Sequence, residues 1–240
     1  MKIFAHRGAS GEFPENTLLA FEEAIKQGSD GIELDVQFHQ ASEAFIVLHD
    51  RYIKLDQQTK HINELTLPQI SQITLLPQQG ICTLDQALRH INNRCVVNIE
   101  IKSASQGTLL SKEITALKHL LTQLAEKHII SYDKLIISSF NHHVIKQSSQ
   151  QLPSIQTAAL IAGCPILYAS FCTELSVAYL NVSAECLNKE IIQDAHQKGL
   201  KVFVYTVDLI DEIKLCHQLG VDGIFTNFPA RALHWLTLAK

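Results

Sequence analysis

Eight short apolar runs, rich in β-branched residues and mostly separated by helical patterns, constrain this chain more than any other feature. They occupy residues 2–5, 31–36, 96–101, 135–139, 156–160, 179–182, 201–206 and 223–226. Strands that read as nearly continuous apolar runs are buried on both faces, and when helices alternate with them the sheet is parallel. Amphipathic patterns fall at residues 16–27, 83–91, 111–127, 188–198, 209–219 and 230–238. Eight β/α units in 240 residues predict an α/β fold of the (β/α)8 TIM barrel kind, which typically takes about 250 residues. A doubly wound open sheet is the runner-up, weakened because no G-x-G-x-x-G turn follows the first run.

One interval breaks the rhythm. About 60 residues separate the second run from the third, far more than one crossover helix needs. Residues 45–48 read as a short extra strand after a turn at 39–44. Residues 51–79 read as polar and irregular, with a short helix at 68–73. Residues 83–91 then form the true crossover helix, with Thr83 as its N-cap. The expectation is a single barrel domain over residues 1–240 with an insertion at 37–79 after strand two. Long insertions on barrels usually cover the catalytic face.

Charge and cysteines narrow the possible partners. The formal net charge is −4, from 20 Lys+Arg and 24 Asp+Glu, so no global basic field exists to hold nucleic acid or an anionic membrane. The six cysteines show no C-x-x-C spacing and sit mostly among apolar neighbours. They read as reduced thiols of a cytoplasmic protein rather than a disulfide framework. Residues 1–5 already read as a strand, which leaves no room for a cleavable signal. The longest uncharged stretch, residues 147–173, contains Pro153, Gly163 and Pro165 and is no bilayer span. No apolar membrane anchor is evident, and the oligomeric state is open.

The chemistry lies in polar residues set into apolar strands. Residues i and i+2 of a strand face the same way. Glu33 and Asp35 are so spaced, as are Glu100 and Lys102, while Ile32, Leu34, Val36, Ile99 and Ile101 take the opposite face. All four polar residues sit toward C-terminal strand ends, where barrel sites are built. Three carboxylates converging at about 4 Å would repel by roughly 4 kcal/mol per pair at an effective dielectric of about 20. They would take up protons or collect a cation, and hard oxygen donors favour Mg²⁺ or Ca²⁺. Simple pairing with Arg7 and Lys102, with no ion, is the other reading.

His6 ends the first strand, and His49 follows residues 45–48. Most of the 12 histidines read as structural or exposed. These two differ because each ends a strand at the rim that carries the carboxylates, where a pair of imidazoles can share acid and base duties. With a divalent ion, Arg7 and Lys102, the site would carry one net positive charge. That suits a singly charged phosphodiester, or equally a carboxylate, better than a doubly charged monoester. Pro14-Glu15-Asn16-Thr17 reads as the polar cap opening a helix, and Glu15 or Asn16 could also brace the loop at His6 and Arg7.

The ordered set His6-Arg7-Gly8, Pro14-Glu15-Asn16-Thr17, Glu33-Leu34-Asp35-Val36, His49-Asp50, Glu100-Ile101-Lys102, Ser139-Phe140 and Asp222-Gly223 with Thr226 and Pro229 resembles the glycerophosphodiester phosphodiesterase family over nearly the whole chain. The resemblance implies a TIM barrel with a small insertion after strand two. It implies a divalent cation, Mg²⁺ or Ca²⁺, on Glu33, Asp35 and Glu100, with His6 and His49 as the acid–base pair and Arg7 and Lys102 on the phosphate. The implied substrate is a small glycerophosphodiester, such as glycerophosphocholine or glycerophosphoethanolamine, cleaved to glycerol 3-phosphate and an alcohol.

Three positions depart from the family pattern. The stretch at residues 55–59 lacks the family's frequent arginine, Tyr205 stands where a tryptophan is common, and Asn227 stands where an aspartate often follows the strand-eight Thr. They bear on the headgroup pocket. Three rivals are a phospholipid-type phosphodiester lyase giving a cyclic phosphate, an aldolase-type barrel using a metal or a Schiff base on Lys102, and a barrel without catalysis.

Overall fold

The computed structural model describes residues 1–55, 58–76 and 79–238 of the chain. The first half runs β1 (Lys2–His6), α1 (Leu18–Lys26), β2 (Gly31–His39), β3 (Ala44–Val47), β4 (Tyr52–Leu55), β5 (Gln58–His61), α2 (Leu67–Ser71), β6 (Thr74–Leu76), β7 (Gln79–Gly80) and α3 (Leu84–Ile91). The second half runs β8 (Val96–Ile101), α4 (Gly107–Glu126), β9 (Leu135–Ser139), α5 (His142–Gln151), β10 (Gln156–Ile161), β11 (Tyr179–Ser183), α6 (Lys189–Gln197), β12 (Lys201–Tyr205), α7 (Ile210–Gln218), β13 (Gly223–Thr226) and α8 (Pro229–Leu238).

The strands lie in the order β1-β13-β12-β11-β10-β9-β8-β2, and β1 pairs again with β2, which closes the sheet. All eight of these pairings are parallel. This is the eight-stranded TIM barrel that the apolar runs predict, each run on its own strand. Outward-facing Ile3, Ile32, Leu34, Ile99, Ile137, Leu180, Val202 and Ile224 meet the helix layer and are essentially inaccessible.

The inside of the barrel changes character along its axis. Near the N-terminal strand ends, Phe4, Ile136, Ala158, Tyr179, Phe203 and Phe225 form an apolar plug. Two strands contribute glycine to make room for it. A Cβ on Gly31 would come within 2.5 Å of the Phe4 ring, and one on Gly223 within 2.5 Å of the Phe203 ring. One layer up, Asn98 Nδ2 donates to Ser138 Oγ at 2.9 Å. Inside the barrel, the buried polar side chains of the described residues therefore lie above the plug, toward the C-terminal half.

Between β2 and α3 the structure is more ordered than the polar sequence suggests. β2 continues to His39 and pairs antiparallel with β3. Two small hairpins, β4–β5 and β6–β7, replace the irregular segment expected there. Their strands are two to four residues long, and β5 reads Gln-Thr-Lys-His, so no apolar period marks them. Ile46, Ile53, Ile62, Leu65, Ile70 and Ile81 give this region a small core of its own. Asp56 and Gln57, part of the stretch that departs from the family pattern, lie outside the described residues.

Thr83 caps α3 as expected, in a reciprocal capping box with Gln86. Among the described residues, β10 and β11 are joined by a 3-10 turn, Ser170–Glu174, without an α-helix. The same connection exposes Ile166 and Leu167, two apolar residues that the sequence reading does not single out. No helix of the described residues is long and apolar enough to cross a membrane.

Candidate active site

Strand register brings the acidic residues together. His6 stands beside Glu33 across β1 and β2, and Asp35 beside Glu100 across β2 and β8. Glu33, Asp35 and Glu100 each offer a carboxylate oxygen, all within 4.8 Å of one another, and all three residues are buried. The i, i+2 reading of these strands therefore places them correctly.

The loop after β1 carries two left-handed residues, Arg7 at φ 57° and Asn16 at φ 58°. Non-glycine residues seldom adopt this conformation, and its cost is accepted mostly at functional sites. Here it turns the backbone N–H of Arg7 onto Glu33 Oε2 at 2.9 Å, while the Asn16 N–H donates to the Arg7 carbonyl at 3.0 Å. Gly8, at φ +82°, follows. A Cβ there would meet the backbone of Ala20 at 2.6 Å, so only glycine lets this loop lie on the start of α1.

The cations of the site sit on its carboxylates. Arg7 Nη1 donates to Glu15 Oε2 at 2.9 Å, and its Nε lies 3.1 Å from Asp35 Oδ2. Lys102 Nζ donates to Glu100 Oε1 at 2.8 Å and lies 3.5 Å from Asp35 Oδ1. Asn16 Nδ2 donates to Asp35 Oδ2 at 2.9 Å, and its Oδ1 accepts from the Asp35 N–H at 3.2 Å. Glu15 thus braces the loop through the Arg7 side chain, while the Asn16 side chain holds Asp35. Glu33 Oε1, by contrast, is buried with no hydrogen-bond partner.

Charge and burial then set the protonation preferences. Burial, reinforced by Asp35 and Glu100, holds the Glu33 carboxyl well above the ordinary carboxylate value. Burial and Asp35 raise Glu100, with Lys102 and His49 opposing. Burial pulls Lys102 down, but Glu100, Asp35 and Glu33 outweigh it, so its ammonium is held above the ordinary lysine value. An amine nucleophile needs the opposite shift, which argues against the Schiff-base reading of Lys102.

His6 lies between the carboxylates and β13. Its Nε2 is 4.0 Å from Glu33 Oε2, and its Nδ1 is 2.8 Å from Asn227 Oδ1. Burial and the charge of Arg7 lower its pKa, against smaller opposing effects led by Asn227. His49 arrives from the other side. The Leu48 N–H donates to the Asp35 carbonyl at 3.0 Å, and buried Gln37 donates to the His49 carbonyl at 2.7 Å. The His49 ring contacts Asp50 at 2.8 Å and remains a third exposed. His6, Arg7, Glu33, Asp35, His49, Glu100 and Lys102 therefore all lie toward the C-terminal face.

The sequence matches the Glycerophosphoryl diester phosphodiesterase family over residues 6–231. The chain belongs to that family. This makes it a phosphoric diester hydrolase, a glycerophosphodiester phosphodiesterase, and the match spans both the barrel and the residues between β2 and α3. A glycerophosphodiester phosphodiesterase of Caldanaerobacter subterraneus subsp. tengcongensis is 30% identical over 239 residues, covering 95% of this chain and 94% of that protein. One from Bacillus altitudinis is 29% identical over 245 residues, covering 97% and 96%. Among solved structures, an Oleispira antarctica phosphodiesterase in complex with the product sn-glycerol-3-phosphate superposes with a TM-score of 0.88 at 24% identity, over 99% of this chain and 97% of that one. The barrel is thus the family's fold as well as this chain's.

Two residues around the site were not marked by the sequence: Gln37, and Asp208, which accepts from Asn227 Nδ2 at 2.6 Å. Gln37 does lie i+2 from Asp35, on the same strand face, so the alternation that finds the carboxylates could have found it. Asp208 sits in a loop, where no period exists to mark it.

Proposed function

We propose that this phosphodiesterase hydrolyses small glycerophosphodiesters to glycerol 3-phosphate and an alcohol, with a divalent cation held by Glu33, Asp35 and Glu100. The observation that carries the reading is the orphaned Glu33 Oε1 inside a cluster of three buried carboxylates. Two cations reach Asp35 and one reaches Glu100, yet one buried acceptor still lacks a partner. A hard dication fits an all-oxygen donor set of this kind, Mg²⁺ or Ca²⁺ in preference to a softer metal. When bound, such an ion polarises a phosphoryl oxygen and offsets the charge developing on it.

The chain's own groups supply the rest. The Arg7 guanidinium and the Lys102 ammonium are anchored at the rim of the cluster and bind the remaining phosphate oxygens, where charge grows during cleavage. His6 presents Nε2 toward the carboxylate side and takes the proton from the nucleophile. His49, more exposed, protonates the departing alcohol. The nucleophile is the substrate's own glycerol hydroxyl, which gives a cyclic phosphate that water then opens, or water directly. The relative of known structure binds sn-glycerol-3-phosphate as product, which supports the same glycerol-side product here. The described residues of the insertion at 37–79 serve as a cap on a single barrel domain. Six unpaired cysteines support a cytoplasmic setting.

The test is a panel of glycerophosphodiesters with coupled detection of glycerol 3-phosphate, in EDTA and after adding back Mg²⁺ or Ca²⁺. Turnover that vanishes in EDTA and returns with a dication is expected. Full activity in EDTA would defeat the metal assignment. Phosphorus NMR reads the end product, and accumulation of a cyclic phosphate would assign the chain to the lyase reading instead.

A further inference from the structure

Asn227 stands out in the sequence as an amide where a carboxylate is common, and its surroundings show what it does. Its Nδ2 donates to Asp208 Oδ2 at 2.6 Å, and its backbone N–H donates to Asp208 Oδ1 at 2.8 Å. Thr226 Oγ1 donates to the same Oδ1 at 2.9 Å. Three donors thus converge on Asp208, which lies just beyond β12, and they tie the loop after β12 to the loop after β13. Ser10 Oγ lies 2.8 Å from Asn227 Oδ1 and 2.6 Å from the His6 carbonyl. His6 Nδ1 completes the chain at 2.8 Å from Asn227 Oδ1.

We propose that Asp208, acting through Asn227, fixes the tautomer of His6, so that Nδ1 carries the hydrogen and Nε2 offers its lone pair to the reacting groups. An ionised carboxylate only accepts hydrogen bonds. The Asn227 amide must therefore turn its NH₂ to Asp208, because the flipped amide would set two acceptors against each other at 2.6 Å. That orientation leaves the amide oxygen facing His6, and an amide oxygen also only accepts. Neutral His6 can then satisfy the contact only by donating from Nδ1, and the bond at one ring nitrogen decides the state of the other. The nitrogen left free is Nε2, the one facing Glu33 at 4.0 Å. Free histidine in water favours the opposite tautomer, so the protein must impose this one. Asp208 and Asn227 are positioning residues, and their effect on rate rests on the proposed role of His6 as base.

The test reads the tautomer itself. Protein labelled with ¹⁵N in histidine is studied by long-range ¹H–¹⁵N correlation at a pH where His6 is neutral, its signals assigned by their loss in His6→Ala. Wild type should show Nδ1–H. Asp208→Asn leaves Asn227 free to flip, so it should lose that signature, and kcat should fall about 10²-fold with KM within a few-fold. The double variant Asp208→Asn, Asn227→Asp exchanges the two groups; aspartate 227 then accepts directly from Nδ1–H while asparagine 208 holds it. It should keep the Nδ1–H signature and recover most of kcat, and it tests the idea even if the single variant does not fold. An Nε2–H signature in wild type, or an unchanged tautomer in folded Asp208→Asn, would overturn the proposal. A tautomer that shifts as expected while kcat stays constant would support the Asp208 assignment and sink His6 as base.

Discussion

Glu33→Gln should change stability in opposite directions with and without a bound cation. Glu33, Asp35 and Glu100 have oxygens within 4.8 Å of one another. At that separation, and an effective dielectric of about 20, each pair of full charges repels by about 3.5 kcal/mol. Glu33 takes part in two of the three pairs, so full charges would make neutralising it worth roughly 7 kcal/mol. The true gain is smaller, because burial and its neighbours already raise the Glu33 carboxyl toward the protonated form. Glutamine keeps an acceptor for the Arg7 N–H that Glu33 Oε2 now receives at 2.9 Å, so little bonding is lost.

A net gain of about 1–3 kcal/mol in EDTA corresponds to roughly 3–10 °C in Tm for a chain of this size. Wild type should in turn rise by roughly 5–10 °C when Mg²⁺ or Ca²⁺ reaches about 100 times its Kd, which is worth about 2.7 kcal/mol. The variant, with one ligand neutralised, should gain much less, so the two Tm-against-cation curves cross. Differential scanning calorimetry across a cation titration checks this. A variant that melts below wild type in EDTA, or that keeps the full cation shift, would refute the reasoning.

His6→Ala and His49→Ala should each lower kcat by about 10²- to 10⁴-fold while the Tm stays within a few degrees; near-normal rates in both would remove the acid–base pair. Lys102→Met removes the ammonium 2.8 Å from Glu100 and a phosphate contact, so kcat/KM should fall roughly 10- to 100-fold, the worth of one charge-assisted hydrogen bond; steady-state kinetics would show it. Glu113 is buried, accepts from Ser103 Oγ at 2.7 Å and has its carboxyl raised by burial. Between the ordinary and the raised value the folded chain binds more protons than the unfolded one, so this group's contribution to stability falls as pH rises. Glu113→Gln should therefore match wild type near pH 4 and exceed it by about 1 kcal/mol, or about 2–4 °C, near pH 8; equal Tm values at both pH values would contradict this.

Much of the site is legible in the sequence because strands have a rigid period. Glu33 and Asp35 must share a face with each other, as must Glu100 and Lys102, and apolar neighbours fix which face is outward. The eight apolar runs then suffice for the barrel, since few other arrangements bury parallel strands on both faces. Legibility ends where chemistry is held by contacts between distant loops. Asp208 and Asn227 are 19 residues apart, and Asn227 meets His6 across a separation of 221. The hairpins β4–β5 and β6–β7 fail for a different reason: strands this short carry no period, and the small apolar cluster around Ile46 and Ile62 packs beside them.

The same contrast explains how the fold comes to hold a buried carboxyl with an unpartnered oxygen. Parallel strands and the apolar plug below cannot relax to solvate Glu33, and nothing in a strand's geometry supplies it with a second partner. Apart from Lys102, the partners that reach the cluster come from the loop after β1, where Arg7 and Asn16 hold left-handed backbone at an expected cost of about 1–3 kcal/mol each. Were compensation complete, that strain would have ended as a closed ion-pair network like those of many structural cores. It is not complete, because Arg7 and Asn16 spend their side chains on Asp35 and leave Glu33 with a single backbone N–H. A rigid scaffold that strains its backbone to hold one carboxylate, while leaving the next one short of a partner, is what the proposed cation site would need.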